Sequence, residues 1–164
     1  MSLATLINIA EDGPWCGTRP PGRPHLPHPP VTHLHEARVA AAQSPEPDPW
    51  RLGTVEVGLY GAITLYQIGR LVSGPAAEGF GSAAESLFDD TCGSIPISEL
   101  IWLLLHRPPP PPPQWLSQLT FAGEMLAFAQ ATHQETLATA ATRQVMASLN
   151  ASGLQTEQMQ ATAA

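Results

Sequence analysis

His25, His28, His33 and His35, followed directly by Glu36, form the densest titratable cluster of the chain. Imidazoles at these spacings can gather around Zn²⁺, Ni²⁺ or Cu²⁺, and a tract without fixed geometry needs no preformed site to do so. Structural zinc sites, however, rest on Cys or His pairs held by turns, and the nearest thiol, Cys16, lies across a proline-rich gap. The spacing favours solvated histidines over a metal centre, and no cofactor is expected.

The run Arg107-Pro-Pro-Pro-Pro-Pro-Pro113 fits Arg-x-x-Pro-x-x-Pro, with Arg107, Pro110 and Pro113 in register. In that register a polyproline II ligand offers its arginine to an acidic pocket and its prolines to aromatic grooves of SH3-like or EVH1-like domains. The same run also works as a rod. Six prolines at about 3.1 Å each hold the flanking segments on the order of 19 Å apart, and this spacer reading is preferred.

Other candidate chemistry is thinner. Gly79-Phe-Gly-Ser-Ala-Ala84 matches GxGxxA ahead of a helix, but Pro75 to Glu78 intervene where a dinucleotide fold has a strand. Asp89-Asp90 is an adjacent carboxylate pair, and a helix end facing water accounts for it. Cys92 has no base or cation near it in sequence to activate its thiol. Nucleophile elbows, Walker loops and HExxH are absent, so no enzyme is expected.

Charge narrows the partners. The net charge is −7, and the seven basic residues are all arginines, spread singly from Arg19 to Arg143. A nucleic-acid binder needs clustered cations to displace counterions from phosphates, so neither nucleic acid nor an anionic membrane surface is expected as a partner. The N-terminal apolar run lacks a basic region before it and meets Glu11 and Asp12 after it, which predicts an intracellular protein. Cys16 and Cys92 read as free thiols.

The elements that must position these residues are set largely by proline. The chain holds 18 prolines and 13 glycines, concentrated in residues 13 to 49 and 74 to 113. Each proline lacks an N–H and biases its predecessor toward extended geometry, so 13 to 50 reads as an extended or disordered arm after an N-terminal segment 1 to 12. Residues 1 to 10 fit a short strand or a turn or two of helix. Within the arm, Thr32 is placed to cap a short helix over His33 to Gln43.

Residues 51 to 107 form the foldable middle. Gly53 to Val72 reads with period two as a hairpin strand pair and with period 3.6 as a helix; its length favours helix, with Gly58 and Gly61 as weak points. Ser82-Ala-Ala-Glu85 has the spacing of a capping box that opens a helix to about Thr91. Pro96 suits the first turn of a helix ending at His106, whose Leu100 to Leu105 run is apolar on every side and must be buried all round. Neither segment suits a membrane span, which needs about 20 apolar residues.

After the proline spacer at 108 to 113, Trp115, Leu119, Ala122, Leu126, Ala129, His133, Leu137, Ala141, Val145 and Leu149 recur every three or four residues. The spacing predicts one amphipathic helix over 114 to 153, its first half widened by Phe121, Met125 and Phe128 and therefore buried, with a tail at 154 to 164. His133, on that stripe, reads as a hydrogen-bonded interface residue.

The expected fold is mainly α: a small bundle of about four helices, the last the longest, with extended proline-rich arms. The expected function is a non-enzymatic structural or assembly adaptor, docking on protein partners or on itself. Its contact residues would be Leu100, Trp102, Leu104, Trp115, Leu119, Phe121, Leu126 and Phe128, because so small a foldable chain carries more apolar surface than it easily buries alone. The alternative is a proline-motif ligand acting through Arg107, Pro110 and Pro113.

Overall fold

The structure, a computed structural model, describes residues 3–10, 15 and 49–151. Among these residues there are six helices and no strand: α1 Leu3–Ala10, α2 Pro49–Leu71, α3 Pro75–Cys92, α4 Ile97–His106, α5 Gln114–Ala131 and α6 Glu135–Ala151. The mainly α reading holds, and the count of about four is corrected to six. Residues 53 to 71 lie on one helix, not a hairpin, and Val72 follows its end. The arm at 13 to 48 apart from Trp15, the cap at Thr32, the histidine cluster and the tail at 154 to 164 lie outside the described residues.

Two glycine-lined contacts organise the helices. Helices α2 and α3 run antiparallel, with Gly58 facing Thr91, Gly61 facing Leu87 and Gly69 facing Phe80. Helix α5 lies along α2 in the same direction, since Trp115 meets Gly61, Gly123 meets Ile68, and Gln130 meets Ser73 at the far end. That last contact is reciprocal: Ser73 N–H donates to Gln130 Oε1 at 2.9 Å, and Gln130 Nε2 donates to the Ser73 carbonyl at 3.1 Å. Helix α6 packs against α5 and α3, with Leu149 and Met146 over Gly79.

Phe80 sits at the junction and is fully buried. A Cβ built on Gly69 would lie 3.0 Å from Phe80 Cβ, and one on Gly123 would lie 2.9 Å from Phe80 Cζ and overlap Ile68. Gly58 and Gly61 are likewise positions of close helix approach, where an added Cβ would overlap Thr91 and crowd Leu87. The missing side chains cost helix propensity and allow the backbones to come together.

The α2 to α3 turn explains why α3 starts at Pro75 and not at the Ser82 capping box. Gly74 has φ 79° and ψ −157°, a conformation open to glycine, and Pro75 follows at the first helical position with its φ already set. Ser82 is then a half-buried residue inside α3.

Helix α4 buries Leu100, Ile101, Leu103 and Leu104 against α1, which supplies Leu3, Leu6, Ile7 and Ile9. The expectation of burial on every side is met except at Trp102, which is half-buried, and Leu105, which is exposed. No polar or charged residue is buried among the described residues. Threonines within the helices satisfy their hydroxyls locally, as Thr64 on Tyr60 O, Thr120 on Leu116 O and Thr142 on Ala138 O show.

The helix expected over 114 to 153 is two helices. The chain turns at Thr132-His133-Gln134 through a Schellman motif, in which Gln134 N–H donates to Ala129 O at 2.9 Å and His133 N–H donates to Gln130 O at 3.3 Å. His133 occupies the left-handed position, φ 56°, and is exposed. The three-to-four repeat continues across this turn without a Gly or Pro, so periodicity alone carries the helix through it.

Replacing Gly123 with Ala is expected to cost about 1–3 kcal/mol by overpacking, whereas Gly81→Ala, where a Cβ meets nothing within 4 Å, is expected to gain about 0.5–1 kcal/mol. Urea unfolding of both variants followed by circular dichroism checks the contrast, and equal effects would remove the close-approach argument. His133→Gly is expected to stabilise by up to about 1 kcal/mol, since glycine relieves the left-handed strain and loses a little of that gain to backbone entropy. Its melting temperature is the measurement.

Candidate functional site

The residues singled out for docking divide into three groups. Leu100, Leu104, Leu119 and Leu126 are core, with at most 4% of their surface exposed, and are used by the chain's own packing. Trp102 and Trp115 are half-buried; the Trp102 ring lies 5.1 Å from that of His106, and Trp115 reaches toward Gly61. Phe121 and Phe128 remain outside, 62% and 59% exposed. The first half of the segment after the prolines was expected to bury both rings. It does not, because α5 turns Leu116, Leu119, Ala122, Gly123, Leu126 and Ala129 inward.

Phe121 and Phe128 are seven residues apart, two turns along one helix face, with half-buried Met125 between them. Besides the two rings, the exposed positions of α5 are Gln114, Ser117, Gln118 and Ala131. The helix carries a single charged residue, half-buried Glu124, three residues after Phe121 and four before Phe128, so it lies beside the middle of the ridge as Met125 does. This is an aromatic face with one carboxylate at its middle. Chemically it can exclude water against another apolar surface.

The proline motif faces differently. Arg107 is extended at φ −117° and ψ 144°, and its Nε lies 3.3 Å from Glu56 Oε1 on α2. In a three-residue-per-turn helix Arg107, Pro110 and Pro113 share one edge; Pro109, Pro110 and Pro113 are half-buried, while Arg107, Pro108, Pro111 and Pro112 are exposed.

Trp15 is a residue that the sequence reading passed over. It is 1% exposed, its indole N–H donates to the Arg107 carbonyl at 2.7 Å, and its ring meets Tyr60 edge-on at 6.1 Å. The only signal in the sequence is a tryptophan standing among prolines. It ties the N-terminal part of the chain to the start of the proline run.

The remaining candidates are structural. Gly79 to Ala84 lies inside α3 with Gly79, Phe80, Ala83 and Ala84 buried, so its N–H groups are bound within a helix and do not form a phosphate cradle. Asp89 and Asp90 are exposed on the last turns of α3. Partial burial, and secondarily the neighbouring Asp89, raises the Glu85 carboxyl above its ordinary value. Burial pushes the Cys92 thiol up against a smaller lowering by Thr91, which leaves it protonated beside the Val55 carbonyl. Among the described residues no three His, Cys, Asp or Glu side chains converge as a metal site, and no helix is long and apolar enough to cross a membrane.

No protein-family model matches the chain, and no curated protein or solved structure matches it either.

Trp15→Ala is expected to destabilise the protein by about 3–5 kcal/mol, through the lost ring packing and the unpaired Arg107 carbonyl. Arg107→Ala removes a surface ion pair whose arginine is 42% exposed and is expected to cost less than about 1 kcal/mol. Denaturant midpoints of the two variants test the order; a larger loss at Arg107 would reverse it.

Proposed function

We propose that this protein is a non-enzymatic structural or assembly adaptor that docks on protein partners or on itself through the outer face of α5. The observation that carries the reading is the pair Phe121 and Phe128, each more than half exposed on a helix whose other face is fully packed. A scattered exposed apolar residue is ordinary, but two phenyl rings two turns apart on one helix face form a patch. Burying a phenylalanine is worth about 1.5–3 kcal/mol, so the pair supplies a useful part of a docking energy once something covers it.

The proline segments support the same role. In this reading the run after Arg107 holds α4 and α5 apart as a rod, and the N-terminal arm gains order by lying along a partner surface. The proline-motif alternative would act through Arg107, which is exposed and paired with Glu56, and through half-buried Pro110 and Pro113.

The test is co-purification of tagged full-length chain from its own cells, compared with Phe121→Ser/Phe128→Ser and with Arg107→Ala. Both altered rings are exposed, so helix content and stability are expected to change by no more than about 0.5 kcal/mol per site. The double variant is expected to lose specific partners by roughly thirtyfold or more, while Arg107→Ala keeps them. Partners retained by the double variant and lost with Arg107→Ala would turn the assignment to the proline-motif ligand.

A further inference from the structure

We infer that α1 and Trp15 form a strap which, together with α4, opens from the protein as one unit while α2, α3, α5 and α6 stay folded. The inference goes beyond the docking reading and does not involve the outer face of α5.

The two parts are held in different ways. Helices α2, α3, α5 and α6 form a closed ring, α2 on α3 and α5, and α6 on α5 and α3, with glycines where the backbones come close. Among the described helices α4 has its extensive contact with α1 alone, and α1 otherwise reaches α2. Neither α1 nor α4 contains a glycine, so the two meet through leucine and isoleucine side chains.

Length and proline make the pair cooperative. Helix α1 has 8 residues and α4 has 10, too few for an isolated helix to hold in water, so each persists only while the other covers it. Pro96 and Pro108 flank α4 and have no N–H, so its hydrogen bonding is not continuous with that of α3 or α5. Every buried side chain on α1 and α4 is apolar, and opening orphans no buried polar side chain on either helix.

Trp15 is the fastening. Its indole N–H donates to the Arg107 carbonyl at 2.7 Å, at the end of α4, while its ring lies edge-on to Tyr60 of α2 at 6.1 Å. One residue thus ties α4 to the body of the protein, and at 1% exposure it does so out of water. The second tie, Arg107 Nε to Glu56 Oε1, is a surface ion pair and adds little. With the strap open, Leu100, Ile101, Leu103 and Leu104 reach water together, so the apolar surface that the sequence places at Leu100 and Leu104 is present in the open form.

The experiment is native-state hydrogen exchange on the full chain at rising urea, below the unfolding transition. Hydrogen-bonded amides of α1 and α4 are expected to share one exchange rate, at least about tenfold faster than the buried amides of α2 and α3, with a smaller urea dependence because less surface is exposed. Trp15→Ala is expected to speed α1 and α4 by roughly a hundredfold or more while most of the helical circular dichroism remains. Gly123→Ala acts within the four-helix body and is expected to speed its amides about fivefold or more, leaving α1 and α4 within about twofold of the unaltered chain. A single rate and a single urea slope across all six helices overturns the inference, as does equal acceleration of α1, α4 and the body in Gly123→Ala. If Gly123→Ala moves neither group, the urea slopes decide alone. Loss of all helix in Trp15→Ala shows a body that cannot stand without the pair, and unchanged exchange of α4 in that variant removes Trp15 as the fastening; either result overturns the strap.

Discussion

The fold depends on how closely three helix backbones approach around Phe80. Gly69 of α2 meets its Cβ and the neighbouring α3 backbone, and Gly123 of α5 meets the far edge of its ring. The neighbouring Gly79 admits Leu149 of α6 in the same way. Interiors pack at crystal density, so a backbone can come this near only where a side chain is missing. The alignment of α2 with α3 and α5, and the seat of α6, follow from that constraint.

Close packing decides which apolar residues remain available outside. The Leu100 to Leu104 stretch of α4, with the strongest appearance of a sticky surface in the sequence, is covered by α1 and is part of the chain's own core. Trp15 closes the same end by donating to the carbonyl of Arg107, the residue at which α4 gives way to the proline run. Among the described residues the large apolar side chains left exposed are Phe121 and Phe128 on α5, the helix that follows the prolines, and to a lesser extent Leu105 on α4.

The chemistry of that surface agrees with the chain as a whole. The described core contains no buried polar or charged residue, its helical threonines bond their own backbone, and Glu78, Glu85, Asp89 and Asp90 stand exposed on α3. The proposed role follows from this distribution and from the two phenylalanines on α5.

The sequence by itself determined that the chain is helical, where proline forces helices to begin or stop, and that no cluster of cations is present. These are local matters: backbone propensity, the missing proline N–H and net charge act within a few residues or add over the chain. The faces of α5 and α6 were also largely legible, since Leu119, Ala122, Leu126, Ala129, Ala141, Val145 and Leu149 are all buried as their spacing implies. The break at His133 was not, because a left-handed histidine replaces the expected glycine signal. Only the tertiary structure decided that Gly58, Gly61, Gly69 and Gly123 are contact points, that Trp15 is an anchor, and that Phe121 and Phe128 face outward. Periodicity shows that a helix has an apolar side, but how wide a strip of that side is covered depends on the size and distance of the helices packed against it.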